Sequence, residues 1–230
     1  MSNWNILVLD RSASMLSQKQ RLVEGYNNLV NEQKKQGSTD KFTVIGFNSE
    51  VKIIKDEYFT RVSKMDPEDF ITQGCTALLD AIGMVYNTIL DNSEYDNVII
   101  TVITDGMENS SKIFTFDTLN DKRKEIDKHY NITFLFIGAD ISCLENNVML
   151  PHVSQSINYD GNIEQALITA SRTMSSQRDG TEYIPDGVIN ISPKETVTSQ
   201  ASNIPIINKR QHSSVDPPYV SRCEKLCRLG

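Results

Sequence analysis

The apolar positions of this chain change period from segment to segment, and each period points to a type of element. In "NWNILVLDRSASM" the run from Ile6 to Leu9 is unbroken and stops at Asp10, the pattern of a central strand buried on both faces. Leu22, Val23, Tyr26, Leu29 and Val30 then fall at the spacing of a helix with one buried stripe, closed by Gly37 and Ser38. Lys41 to Phe47 and Val51 to Ile54 read as strands, and the "NSE" between them suits a hairpin. The strongest helical stripe, Leu78, Leu79, Ile82, Val85, Tyr86, Ile89 and Leu90, precedes the apolar strand Asn97 to Thr104. A more polar helix around Phe116 to His129, a strand from Ile132 to Ile137, a short helix near Ile141 to Asn147 and a brief strand from Val153 to Ile157 follow. A last helix carries Ile163, Ala166, Leu167, Ala170 and Met174 on one face.

Strands separated by crossovers of helical length predict an α/β fold. The expected architecture is a doubly wound, mostly parallel sheet with one antiparallel edge strand and helices on both faces. Periodicity fades near Gln177, which divides the chain into a domain over residues 1–177 and an extended or partly disordered tail over 178–230. Within the tail, "GVINIS" from Gly187 to Ser192 is a candidate short strand. "VDPPYV" there is a Pro-rich segment able to dock in extended form, against the plainer reading of a flexible terminus. No internal repeat is evident.

Composition narrows the function classes. A chain of 230 residues holds one sizeable core and not two. Its net charge of -7 argues against general nucleic-acid binding. No apolar run approaches the roughly 20 residues of a membrane-spanning helix, and no basic segment precedes a long apolar one, so neither a membrane span nor a signal peptide is expected. The four cysteines, Cys75, Cys143, Cys223 and Cys227, are sparse enough to suggest free thiols in a reducing compartment and hence a cytoplasmic location. Cys223 and Cys227 with His212 make half a zinc site at most, and an incidental pair is the simpler account.

Chemistry concentrates at strand ends. Asp10 closes the first strand and is followed by hydroxyls at alternate positions, Ser12 and Ser14. Asp105 follows the strand ending at Thr104 in "TDGMENS", and Thr76 stands before the strong helix in "QGCTALLDAI", where Gly74 lets the loop bend. In a doubly wound sheet these three loops share the rim at the carboxyl ends of the strands, where such folds bind ligands. Asp10, Ser12, Ser14, Thr76 and Asp105 offer oxygen and no sulfur or imidazole, a donor set for Mg2+, Mn2+ or Ca2+ rather than zinc. Any one of these loops alone is also explained by capping and turn formation. The three in register are the stronger signal.

"DRSAS", Thr76 in "GCTALLDAI" and Asp105 in "TDG" resemble the metal-ion-dependent adhesion site of the von Willebrand factor A domain, whose first loop reads Asp-x-Ser-x-Ser. The resemblance spans roughly Asn3 to Ser175. It implies that Ser12, Ser14 and Thr76 bind a metal directly or nearly so, and that Asp10 and Asp105 act directly or through water. Ala13 and Cys75 stand where glycine is frequent in the family, and both are small. Asp80, one turn beyond Thr76, is either a residue that orients the loop or a surface or capping residue.

Two carboxylates balance a divalent charge and three hydroxyls add none, leaving the ion open to another anionic oxygen. The resemblance implies a protein partner presenting an Asp or Glu carboxylate, with the chain serving as an intracellular adaptor in a multiprotein or ATPase-linked complex. No enzyme activity is expected. The alternatives are a metal-independent scaffold and a metal-dependent phosphatase-like hydrolase using Asp10. The second lacks its usual general acid, because Ser12 stands two positions on. No G-x-S-x-G, P-loop or G-x-G-x-x-G motif occurs, and His129, His152 and His212 fall away from the rim.

Overall fold

The computed structural model describes residues 3–92, 94–138, 155–158, 162–181, 183 and 188–189. β1 (Trp4–Asp10) is buried along its whole length because both of its faces are covered. Its side chains alternate between two cores. Leu7 and Leu9 join one, and Trp4, Ile6 and Val8 join the other, as the two-residue period of a strand requires.

β2 (Lys41–Phe47) and β4 (Asn97–Thr104) flank β1, both parallel to it. β5 (Asn131–Gly138) and β6 (Gln155–Asn158) continue the parallel sheet beyond β4. β3 (Val51–Tyr58) returns antiparallel along β2 and forms the predicted edge. Its exposed charged side chains, Lys52, Asp56 and Glu57, suit an edge strand that must not pair further. β7 (Val188–Ile189), inside the "GVINIS" stretch, adds a second antiparallel edge beside β6. The order across the sheet is β3-β2-β1-β4-β5-β6-β7. The crossing from β1 to both β2 and β4 places the reversal of strand order at the carboxyl end of β1, beside Asp10.

α1 (Lys19–Lys35) and α4 (Ile163–Asp179) cover the face of Leu7 and Leu9, burying Leu22, Tyr26, Leu29, Leu167, Ala170 and Met174 there. α2 (Leu78–Leu90) and α3 (Phe116–Ile126) cover the other face through Ile82, Val85, Ile89, Leu119 and Ile126. α1 ends through Gly37, whose φ of 71° a side chain would resist. α4 is held to α1 by polar bonds as well as by its apolar stripe. Gln33 Nε2 donates to Ser171 O at 2.9 Å, and Arg178 Nη1 donates to Gln33 Oε1 at 2.8 Å.

Most elements lie within a few residues of their predicted bounds. β3 runs four residues further than expected, to Tyr58, because pairing with β2 holds a polar sequence extended. α3 stops at Ile126, three residues early. The predicted helix near Ile141 to Asn147 falls outside the described residues, as does nearly all of the predicted tail. Among the described residues no helix is long and apolar enough to cross a membrane.

Candidate metal centre

Asp10 is the last residue of β1, and parallel neighbours on both sides bury it completely. The chain then enters a 3-10 turn over Ala13–Gln18 that leads into α1. This turn folds Ser12 and Ser14 back over the strand end. Ser12 N donates to Asp10 Oδ1 at 2.7 Å, the Ser12 and Ser14 hydroxyls are 2.9 Å apart, and Ser14 Oγ donates to Asp105 Oδ1 at 2.7 Å. Asp105 follows directly on β4, adjacent to β1 in the sheet. Sheet register therefore brings the two carboxylates to one edge.

Thr76 comes from the stretch before α2. Gly106, on the third loop, shows how close it lies: a Cβ there would sit 3.0 Å from Thr76 Oγ1 and 3.7 Å from Asp10 Oδ2. Those two oxygens thus flank one point of the backbone, and any side chain at 106 would crowd the Thr76 hydroxyl. All five residues singled out in the sequence are gathered at this rim.

Backbone bonds lock the three loops together. Ala13 N donates to Gly74 O at 3.1 Å, Gln73 N to Arg11 O at 2.9 Å, and Asn109 N to Thr76 O at 3.1 Å. Thr76 N donates in return to Asn109 Oδ1 at 2.8 Å. Gly74 adopts a φ of 73°, and a Cβ there would meet Ser49 Oγ at 2.7 Å, so the bend anticipated at this residue is present.

Further residues secure the rim, and of these Thr104 and Glu108 carry no signal of their own in the sequence. Thr104 Oγ1 donates to Asp10 Oδ2 at 2.6 Å. Glu108 accepts from Leu79 N in the first turn of α2 at 2.9 Å and from the amides of Ser110 and Ser111 at 2.9 and 2.7 Å. Asp80 accepts from the amides of Lys112, Ile113 and Phe114, each at 2.9 Å. Asp80 is therefore neither a surface residue nor a cap of its own helix. It anchors the loop that Glu108 and Ser111 pin to α2 from the other side.

Burial is the main cause that raises the Asp10 carboxyl, to about 6. The Thr104 and Ser12 hydrogen bonds oppose it, and nearby Asp105 adds to it. Asp105 is also raised, chiefly by burial, with the Ser14 hydroxyl pulling the other way. Two partly desolvated carboxylates beside each other form a place where a cation relieves an electrostatic cost. Neighbouring ligands of an octahedral Mg2+ with bonds of about 2.0–2.1 Å lie about 2.9 Å apart. The Ser12–Ser14 and Ser14–Asp105 separations of 2.9 and 2.7 Å fit that edge. Among the described residues no group of three or more His, Cys, Asp and Glu side chains is placed to hold a metal. An ion at this rim depends on the serine and threonine hydroxyls.

Cys75 departs from the expectation of free thiols. It is disulfide-bonded, and its partner lies outside the described residues, as do Cys143, Cys223, Cys227, His152 and His212. His129 follows α3 and packs edge-on against Tyr130, away from the rim.

Residues 6–108 match the von Willebrand factor type A domain family, a span that contains all five rim residues. No curated protein matches the sequence at a significant level. Among solved structures, a von Willebrand factor type A protein from Catenulispora acidiphila aligns with a TM-score of 0.54 at 13% identity, over 75% of this chain and 43% of that one. The pilus adhesin SpaC from Lactobacillus rhamnosus GG, in an open conformation, gives 0.58 at 13% identity, over 77% and 30%. The PilB minor pilin from Streptococcus sanguinis gives 0.54 at 13% identity, over 78% and 61%. This chain spans less than two thirds of each of these proteins, and the likeness establishes the shared Rossmann-like fold.

Proposed function

We propose that this von Willebrand factor A-type fold is a divalent-metal-dependent protein-interaction module. In this reading Ser12, Ser14 and Thr76 supply neutral oxygens to Mg2+ or Mn2+, and Asp10 and Asp105 balance its charge directly or through water. The observation that carries the reading is the hydrogen-bonded chain Ser12–Ser14–Asp105, closed onto Asp10, with separations suited to one octahedral ion. A bound cation supplies positive charge and an open position for an anionic oxygen. The partner is accordingly a protein presenting an Asp or Glu side chain.

Asp10 is assigned to charge balance rather than to nucleophilic attack. It is fully buried, and both of its oxygens are engaged, one by Ser12 N and the other by Thr104 Oγ1. A phosphatase-type nucleophile needs a carboxylate oxygen facing its substrate. The family and the adhesin and pilin folds point the same way, toward binding. The disulfide at Cys75 weighs against the reducing cytoplasm that the cysteine count suggests.

Calorimetric titration of Mg2+ and Mn2+ into the wild-type chain and into Asp10→Ala tests the reading. Binding in the first and its loss in the second are expected. Equal and negligible heats in both would leave a metal-independent scaffold. Capture of partner proteins in Mg2+, repeated with a chelator, then tests the carboxylate-binding role.

A further inference from the structure

Seven large apolar side chains are exposed among the described residues. Three of them, Leu16 (65%), Ile71 (51%) and Met107 (58%), lie on the three stretches that frame the candidate centre, and Ile113 (76%) lies two residues beyond the third. Exposed apolar residues scattered singly need no explanation, whereas their concentration around one site marks an interaction surface. The backbone bonds from Gln73 to Arg11, from Ala13 to Gly74 and from Asn109 to Thr76 hold these stretches side by side.

The charge pattern of the same rim is equally uneven. Apart from Asp105, residues 11–18, 70–77 and 105–111 contain two charged side chains, Arg11 and Glu108. Neither is free. Arg11 is buried, with Nε donating to Ile71 O at 3.1 Å, and Glu108 has both oxygens taken up by the amides of Leu79, Ser110 and Ser111. Within these three stretches the rest of the side chains are neutral or apolar, while Lys112 follows the third stretch and Glu50 lies on the β2–β3 loop that Ala77 N and Cys75 N bond.

We propose that this rim selects an acidic residue flanked by large apolar residues, a partner segment of the form apolar-Asp/Glu-apolar, with Leu16 and Met107 contacting the flanks. The proposal rests on the metal-dependent reading above and names the chemistry of its partner. A purely acidic or polar-flanked segment leaves the apolar collar in water, while an apolar-flanked one covers it. Partial burial of one or two aliphatic side chains corresponds to about tenfold in affinity.

The test uses two synthetic peptides, Gly-Leu-Asp-Leu-Gly and Gly-Ser-Asp-Ser-Gly, titrated in Mg2+ and in chelator into the full chain and followed by amide shifts. The leucine peptide is expected to bind about tenfold tighter in Mg2+. That advantage should vanish in Leu16→Ser/Met107→Ser, with the serine peptide's affinity and the thermal midpoint unchanged. Equal binding of the two peptides in Mg2+ overturns the proposal and leaves the carboxylate reading standing. A leucine preference that survives in the double variant or in chelator also overturns it. Binding of neither peptide overturns it as well, and if Mg2+ itself is then not bound the parent reading falls with it.

Discussion

Thr104 Oγ1 donates a 2.6 Å hydrogen bond to Asp10 Oδ2 across 94 positions of sequence. The bond joins the ends of two adjacent strands and holds an otherwise desolvated carboxylate in one orientation. Thr104→Val keeps the shape and removes the donor. The variant is expected to lose about 1–3 kcal/mol of stability, as a buried acceptor loses its partner. Its Asp10 carboxyl should rise further, so that metal binding fails at a higher pH than in the wild type. Denaturant unfolding and calorimetry across a pH series check both outcomes. An unchanged pH dependence would show that Thr104 does not tune Asp10.

The raised Asp10 carboxyl has a definite sign in the metal-free protein. The folded state holds its proton up to about pH 6, whereas the unfolded chain releases it near 3.8. Between those values the folded state binds more protons, so this group's contribution to stability is full below about pH 4 and is lost as the pH climbs through 6. The rise corresponds to about 3 kcal/mol. Metal binding runs the other way, because a cation takes the ionised form, and its affinity should fall as the pH drops below about 6. Comparing wild type with Asp10→Asn by unfolding at pH 4 to 7 isolates this carboxyl's contribution. Wild type should lose ground to the variant as the pH rises, and saturating Mg2+ should cancel the loss.

Much of this site is visible in the sequence because its parts are local. Asp10, Ser12 and Ser14 are set by spacing along one strand and its turn, and Asp105 by the end of another strand. The two-residue alternation of β1 and the stripe of α2 likewise need no knowledge of distant residues. Thr104, Gly106, Glu108 and Asn109 escape such a reading because their partners, Asp10, Thr76 and Leu79, lie on other loops. A glutamate in a loop has no local mark that separates a free carboxylate from one capping a helix elsewhere. The length of β3 is not legible locally for the same reason, since its polar sequence is kept extended by β2.

Asp80 offers a graded test of that loop architecture. Its Oδ1 accepts from Ile113 and Phe114 and its Oδ2 from Lys112. Asp80→Ala leaves three amides without an acceptor and is expected to cost roughly 2–4 kcal/mol. Asp80→Asn retains one oxygen for two of the amides and should cost about half as much. Amide hydrogen exchange should accelerate at Lys112 to Phe114 in the order Ala, Asn, wild type. Equal exchange in all three would mean that the loop is held by Glu108 and Ser111 without help from Asp80.

Cys75 ties a covalent bond to the middle of the rim. Its amide donates to Ser49 Oγ at 2.9 Å. It stands between Gly74, whose carbonyl accepts from Ala13, and Thr76, whose amide donates to Asn109. The disulfide at this position therefore constrains the segment that presents the Thr76 hydroxyl. Reduction removes a crosslink, and about 2–4 kcal/mol of stability is expected to go with it. The more specific outcome is at the site: dithiothreitol should weaken Mg2+ or Mn2+ binding several-fold and speed amide exchange at Gly74 to Thr76. Cys75→Ser should show the weaker affinity with or without reductant. If reduction lowers stability but leaves metal affinity and the exchange of Thr76 unchanged, the crosslink staples the fold without setting the geometry of the rim.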